Sequence, residues 1–222
     1  MTSAPVLNGL KKTNLREQAL ASLRTAITSG QLTPQTQMVE TELSEQLQIS
    51  RGTLREAMRQ LEQEGLLVAG GRGRLFVRRL GPKEITDIFT VRASLEGLAA
   101  SLLAQLPDRT AVVQHLRELL AIMDRAANDR DLEGRIESDL EFHRSLCRLT
   151  HNETLLHTWQ GLEGSIRMSI MFAGTGRAIG NMDVARHDAI VDAISSGDAD
   201  VATRAVQEHM AWASANLTTV SS

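Results

Sequence analysis

The chain has 222 residues, a length that suits one or two domains. It carries 24 Lys and Arg against 27 Asp and Glu, a formal net charge of -3, so it is not a uniformly basic nucleic-acid coat. Hydrophobic residues make up 42% and charged residues 23%, a globular rather than disordered composition. Aromatics at 3%, with no Tyr, favour helices over an aromatic-rich sandwich or a base-stacking sheet. One cysteine, Cys147, excludes an intramolecular disulfide and a four-cysteine zinc site. No apolar run reaches membrane-spanning length and no secretory h-region opens the chain, so a soluble cytoplasmic protein with no membrane partner is expected.

The bulk charge conceals a split. Residues 1–80 hold 11 basic and 7 acidic side chains (+4), whereas 81–222 hold 13 basic and 20 acidic (-7) and all six histidines. A basic segment joined to an acidic, histidine-bearing one predicts two domains with different partners, 1–80 and 81–222.

Leu15, Ala19, Leu23, Ala26 and Ile27 recur at helical spacing and predict a first helix that stops at Gly30. Leu32-Thr33-Pro34 breaks the chain before an extended stretch around Met38-Val39. A short second helix is expected from Thr41, with Thr41 as its cap, Glu45 in its first turn, and Leu43 and Leu47 facing inward. After a turn at Gln48-Ile49, Ser50 is placed to cap a third helix over 51–64 that ends at Gly65. Leu54, Met58 and Leu61 form its buried stripe; Arg51, Arg55 and Arg59 form a cationic ridge. Guanidinium groups near the start of such a helix can meet guanine edges or phosphates in a major groove, while Ser50, Thr53 and the backbone amides bind phosphate oxygens. Leu66-Leu67-Val68 and Leu75-Phe76-Val77 read as paired strands around the basic tip Gly70-Gly71-Arg72-Gly73-Arg74, from which Arg72 or Arg74 reaches a minor groove or a phosphate. An arginine stripe alone is usually a solvated face. Three helices followed by a basic hairpin predict a winged helix-turn-helix.

The runs Glu42-Leu43-Ser44-Glu45-Gln46-Leu47 and Ile49-Ser50-Arg51-Gly52-Thr53-Leu54-Arg55-Glu56-Ala57-Met58, with Leu61, Glu64-Gly65-Leu66 and the Gly-Arg-Gly wing, resemble the GntR-type winged-helix pattern over roughly 15–77. The resemblance implies double-stranded DNA as partner and contacts from Arg51, Thr53, Arg55 and the wing residues Gly71, Arg72, Gly73 and Arg74. Two positions depart from it. Thr41 stands where relatives often have Arg, and the wing is one residue longer.

Pro82 marks the linker. From Lys83 the positions Ile85, Ile88, Val91, Leu95, Leu98, Ala99 and Leu102 keep helical spacing up to Pro107-Asp108. Further helices are expected to about residue 128, over 132–150, over 153–171, over 182–196 and over 199–217, with Ala173-Gly174-Thr175-Gly176-Arg177 as a flexible joint too short for a phosphate loop. No strand pattern appears, so a mainly α fold results, the winged head followed by an all-α antiparallel bundle.

Asp139 and His143, four apart, project from one helix face, and His187 and His209 lie on the last two helices. Bundles build metal sites from facing helices in this way. Three imidazoles and a carboxylate suit a divalent ion, zinc first, with nickel, iron or manganese as alternatives. An Asp/His pair at this spacing is also a common surface ion pair. His115, His151 and His157 show no such pattern.

Val91-Arg92-Ala93-Ser94-Leu95-Glu96 with Ala99-Ala100 resembles the opening helix of the FCD effector domain. Asp139-Leu140-Glu141-Phe142-His143, His151-Asn152-Glu153-Thr154-Leu155, His187-Asp188-Ala189-Ile190 and Ala202 to His209-Met210 resemble the rest of its pattern. This resemblance implies metal ligation by Asp139, His143, His187 and His209, and a small carboxylic-acid effector in the adjoining pocket. Arg186 departs from it, standing where many relatives place Glu. Arg92 is a candidate bidentate clamp for the effector carboxylate, with a buried salt bridge to Glu96 as its alternative role; Arg148 is a second candidate. Cys147 reads as a small core residue. The expected function is a homodimeric, ligand-responsive transcriptional regulator on a palindromic operator, and not an enzyme. The rivals are a metalloenzyme with an attached DNA-binding head, a metal-only sensor and a structural metal site.

Overall fold

The periodic apolar positions of the first 80 residues fold as three helices and a hairpin in a computed structural model that describes residues 15–172 and 175–219. The helices are α1 (Leu15–Thr28), α2 (Glu40–Gln46) and α3 (Arg51–Gln63). Ser50 caps α3, its hydroxyl accepting the Thr53 N–H at 3.1 Å. Gly65, at φ +73°, takes the left-handed conformation that ends it. Thr41 does not cap α2. The helix begins one residue earlier, behind Val39, which makes no side-chain cap, and Glu40 and Glu42 in the first turn offset the exposed amide dipoles instead. Strands β1 (Leu67–Ala69) and β2 (Leu75–Val77) pair antiparallel, Leu67 opposite Val77 and Ala69 opposite Leu75. The stretch before α2 lies along β2 as well: Met38 N–H donates to the Leu75 carbonyl and Val77 N–H to that of Thr36.

The second half holds α4 (Pro82–Ala104), α5 (Thr110–Asn128), α6 (Leu132–Leu149), α7 (Glu153–Gln160), α8 (Glu163–Phe172), α9 (Thr175–Asn181), α10 (Val184–Ser196) and α11 (Ala199–Thr218). The single helix expected over 153–171 is two, because the chain breaks at Gly161, the C-cap of α7. The expected joint is partly helical: Thr175 opens α9, while Ala173 and Gly174 lie outside the described residues. α4 packs along α11, α5 along α6, and α10 against both α11 and α5.

The buried face of α4 differs from the stripe read in the sequence. Ile85, Phe89, Ala99, Ala100 and Leu103 face the core together with the charged pair Arg92 and Glu96, whereas Val91, Leu98 and Leu102 are 46%, 49% and 37% exposed. The helix carries two apolar stripes, and mutual pairing lets Arg92 and Glu96 lie inside. Among the described residues two apolar clusters form, one per half, and Met168 of α8 is buried in the head's cluster with Leu20, Ile27, Leu61 and Leu66.

Candidate metal centre and nucleic-acid interface

α6, α10 and α11 bring His143, His187 and His209 together. One ring nitrogen of each lies within 4.8 Å of the others, and all three side chains are buried. Asp139, one turn before His143, adds a carboxylate oxygen 3.1 Å from His187 Nε2. The three histidines singled out in the sequence therefore converge, and Asp139 flanks them through its contacts with His187 and His143. Hydrogen bonds on the outer nitrogens set the tautomers. His143 Nδ1 donates to Glu96 Oε2 at 2.6 Å, and His187 Nδ1 donates to the Asp183 carbonyl at 2.7 Å. In its neutral form each ring so held presents Nε2 as an acceptor, and these two nitrogens stand 3.2 Å apart beside the Asp139 oxygen. Phe142 packs edge-on against both rings, with centroids at 5.4 and 5.2 Å, and limits their rotation. His209 Nδ1 is buried without a hydrogen-bond partner. Converging acceptors with no donor between them repel one another, and a cation relieves that repulsion. The residues fit a divalent metal.

Electrostatics point the same way. Burial, with Arg92 and the other imidazoles near it, pushes His209 well below the usual histidine range. Burial likewise lowers His143 despite the opposing pull of Glu96. Burial acts to raise the Asp139 carboxyl, but its contact with His187 and the surrounding cluster, Arg92 included, outweigh it and hold the carboxyl below its ordinary value.

Glu96 is the residue that sequence reasoning placed only as a partner for Arg92. It accepts from Arg92 Nε at 2.9 Å and from Trp159 Nε1 at 2.7 Å on one oxygen, and from His143 on the other. Burial opposes its ionisation, yet Arg92 and His143 with these hydrogen bonds bring it down to about 2. Arg92 makes the buried salt bridge offered as its alternative role. Its Nε pairs with Glu96, while its Nη2 is buried with no partner, and its charge bears on Asp139, His143 and His209. Arg148 is not brought to this cluster. It lies at the outer side of α6, bound to Glu141 at 2.9 Å and to Ser145 at 2.7 Å, because five residues past His143 the helix has turned away. Cys147 is a core residue whose thiol burial pushes up. Between α10 and α11 an open recess of about 520 Å³ reaches His209, and on its wall the Arg186 guanidinium lies 3.6 Å from the Trp212 ring centroid.

From Trp159 a run of contacts leads to the head. Arg144 lies 5.9 Å from the Trp159 ring centroid and pairs with Glu163 at the start of α8. At Gly164 a Cβ would collide with the Glu64 carbonyl at the end of α3. Ser165 accepts from Arg78 Nη1 at 3.2 Å, and Glu64 is itself clamped by Arg24 at 2.8 Å.

On the head, Ser50, Arg51, Arg55 and Arg59 are exposed along the start and outer face of α3, with Thr53 half-buried beside them, and Gly71, Arg72, Gly73 and Arg74 form the exposed wing tip. The ridge is less bare than the sequence implied. Arg55 Nε donates to both oxygens of Glu40 at 2.9 and 2.8 Å, and Arg59 pairs with Glu56 at 2.7 Å. Glu40 carries no periodic signal that links it to Arg55, fifteen residues away.

Residues 15–77 match the family of bacterial regulatory proteins, gntR family, and residues 87–211 match the FCD domain. A protein of Paenarthrobacter nicotinovorans named "Probable D-xylose utilization operon transcriptional repressor" is 30% identical over 203 residues, covering 91% of this chain and 88% of its own. An HTH-type transcriptional regulator encoded in an unstable DNA locus of Streptomyces ambofaciens is 30% identical over 200 residues, covering 90% and 83%. The solved structure of E. coli McbR/YncC superposes with a TM-score of 0.73 at 20% identity, covering 93% of this chain and 98% of its own, and so shares the fold. A winged head with an arginine-bearing third helix, joined to a helical domain that matches FCD, makes this chain a member of the gntR family of bacterial transcriptional regulators, with a DNA-binding head and an FCD effector domain.

Proposed function

We propose that this regulator acts in the cytoplasm as a homodimer on a palindromic operator, and that a small carboxylic acid bound at a metal in the FCD domain modulates its grip on DNA. Asp139, His143, His187 and His209 hold a divalent ion, zinc first, with nickel, iron or manganese as alternatives. The observation that carries this reading is the meeting of two bare Nε2 atoms, 3.2 Å apart, with the Asp139 oxygen and an unpartnered His209 nitrogen. When bound, the metal supplies an open position for an acid oxygen, and Arg92 offers its free Nη2 to the same anion. The site binds rather than turns over its ligand. On DNA, Arg51, Arg55 and Arg59 with Ser50 and Thr53 address the major groove and its phosphates, and the wing residues Gly71, Arg72, Gly73 and Arg74 address the flanking backbone or minor groove.

The effector works only through a difference in affinity between two placements of the head. The α8 contacts with Glu64 and Arg78 supply an element that senses both. The test combines metal analysis with a duplex selected by the protein itself from a random pool. Asp139→Ala and His187→Ala are expected to lose metal after dialysis, and acids are expected to shift DNA affinity only in the metal-loaded wild type. Full metal content in both variants refutes the ligand set. Consumption of the acid by the loaded protein refutes the binding role, and a metal effect on DNA with no response to any acid refutes the effector.

A further inference from the structure

Arg51, Arg55 and Arg59 stand exposed along α3, and their surroundings differ. Arg59 pairs with Glu56 of its own helix, a contact between two exposed side chains. Of the three, Arg55 is the one held from another helix. Glu40, the first residue of α2, accepts its Nε hydrogen on a carboxylate whose two oxygens lie 2.9 and 2.8 Å away. That hydrogen bond, with the charges of Arg55 and Arg51 behind it, holds the Glu40 carboxyl below its ordinary value.

The clasp has two consequences for Arg55. With Nε taken, Nη1 and Nη2 are the donors left, and neither makes a hydrogen bond among the described residues. The roll of the guanidinium is therefore fixed while its fork stays free. The Glu40 charge also offsets that of Arg55 and weakens its pull on any other anion. A phosphate is bound mainly through charge, whereas the O6/N7 edge of a guanine is uncharged and demands a fork lying in its plane. A guanidinium both oriented and neutralised is ill suited to the first and well suited to the second. Resting on the reading of α3 as the helix that enters the major groove, we infer that Glu40 is a positioning residue for specificity. Acting through Arg55, it makes that side chain a reader of guanine and not a phosphate contact.

The test begins with duplexes selected from a random pool by the full-length protein and, separately, by Arg55→Ala. The half-site guanine whose preference Arg55→Ala loses is the base that Arg55 reads. Affinities are then measured by fluorescence anisotropy for the selected duplex, for one with that guanine changed to adenine, and for a scrambled one over a range of salt. The wild type is expected to prefer guanine by roughly tenfold. Glu40→Ala is expected to cut that preference by a factor of about five. It is also expected to bind the scrambled duplex more tightly, with a log–log salt slope steeper by about one, because the freed Arg55 turns to a phosphate. Glu40→Gln keeps the side chain's shape and an acceptor for Nε but not the charge, and is expected to steepen the slope while keeping more of the preference than Glu40→Ala. An unchanged guanine preference in Glu40→Ala, or an unchanged slope in both variants, overturns the inference. Equal weakening of all three duplexes also overturns it, since Glu40 then only supports α2. So does a change of slope as large in the Arg55→Ala background as in the wild type, since Glu40 then acts by its own charge. If Arg55→Ala selects the same sequence with unchanged affinity, the recognition-helix reading itself falls, and this inference with it.

Discussion

Glu96 joins three elements through one carboxylate: Arg92 on its own helix, His143 on α6 and Trp159 on α7. Removing it strands Arg92 as a buried unpaired cation and frees the His143 ring. Glu96→Ala is therefore expected to cost about 3–5 kcal/mol in chemical denaturation of the metal-free protein, and zinc affinity in a competition titration is expected to fall by roughly 10- to 100-fold. Acid acts on the same cluster in two windows. His143 and His209 are depressed below 6.5, so the unfolded chain takes up protons that the folded one refuses, and stability is lost as pH falls from about 6.5. Glu96 is depressed from 4.5 to about 2, and its contribution, present above 4.5, is lost between those values. A melting-temperature profile in chelator is expected to bend downward near pH 6.5 and again below 4.5. A flat profile from pH 7 to 5 refutes the buried neutral histidines. Bound zinc deepens the loss below the first bend, since protons compete with it.

α8 packs against the head and against α4 and α6, two of the helices that carry the site. Its Gly164 admits the Glu64 carbonyl at a distance that excludes any side chain, and Arg78 reaches across to Ser165. Gly164→Val is expected to force α8 off the end of α3 and cost about 1–3 kcal/mol, the usual range for overpacking. Proteolysis between β2 and α4 is then expected to be faster than in the wild type; an unchanged digestion pattern would show that the junction does not rest on this contact. The elements that declared themselves in the sequence are those with local signals. These are the Ser50 cap and Gly65 stop of α3, the glycine-flanked wing, and the i,i+4 pair Asp139 and His143. The α7 and α8 break at Gly161 escaped notice because the apolar residues on either side continue a helical pattern. Glu96 lies 47 residues from His143 and 63 from Trp159, separations at which no period survives. The inward turn of α4 was hidden by its second stripe, since either face satisfied the spacing and only the packing of α11 and α6 chose between them.

For the whole molecule, that second stripe is the face the proposed homodimer would use. Val91, Leu95, Leu98 and Leu102 are spaced four, three and four apart, the seam of two packed helices, and the first, third and fourth are exposed on the single chain. A second copy presenting the same stripe is self-complementary about a two-fold axis, as the proposed homodimer on a palindrome requires. Leu98→Glu is expected to convert a dimer into a monomer in sedimentation velocity and to lower operator affinity by abolishing paired half-site binding. A variant that remains dimeric places the interface elsewhere. The two halves of each chain are less separable than their charges and family matches imply. Met168, carried by α8, completes the apolar cluster of the head. Cutting the head free after β2 takes that methionine out of its floor. A head transplanted onto a foreign effector domain needs a side chain of similar bulk at the same place, so the two halves of this chain are not interchangeable cassettes.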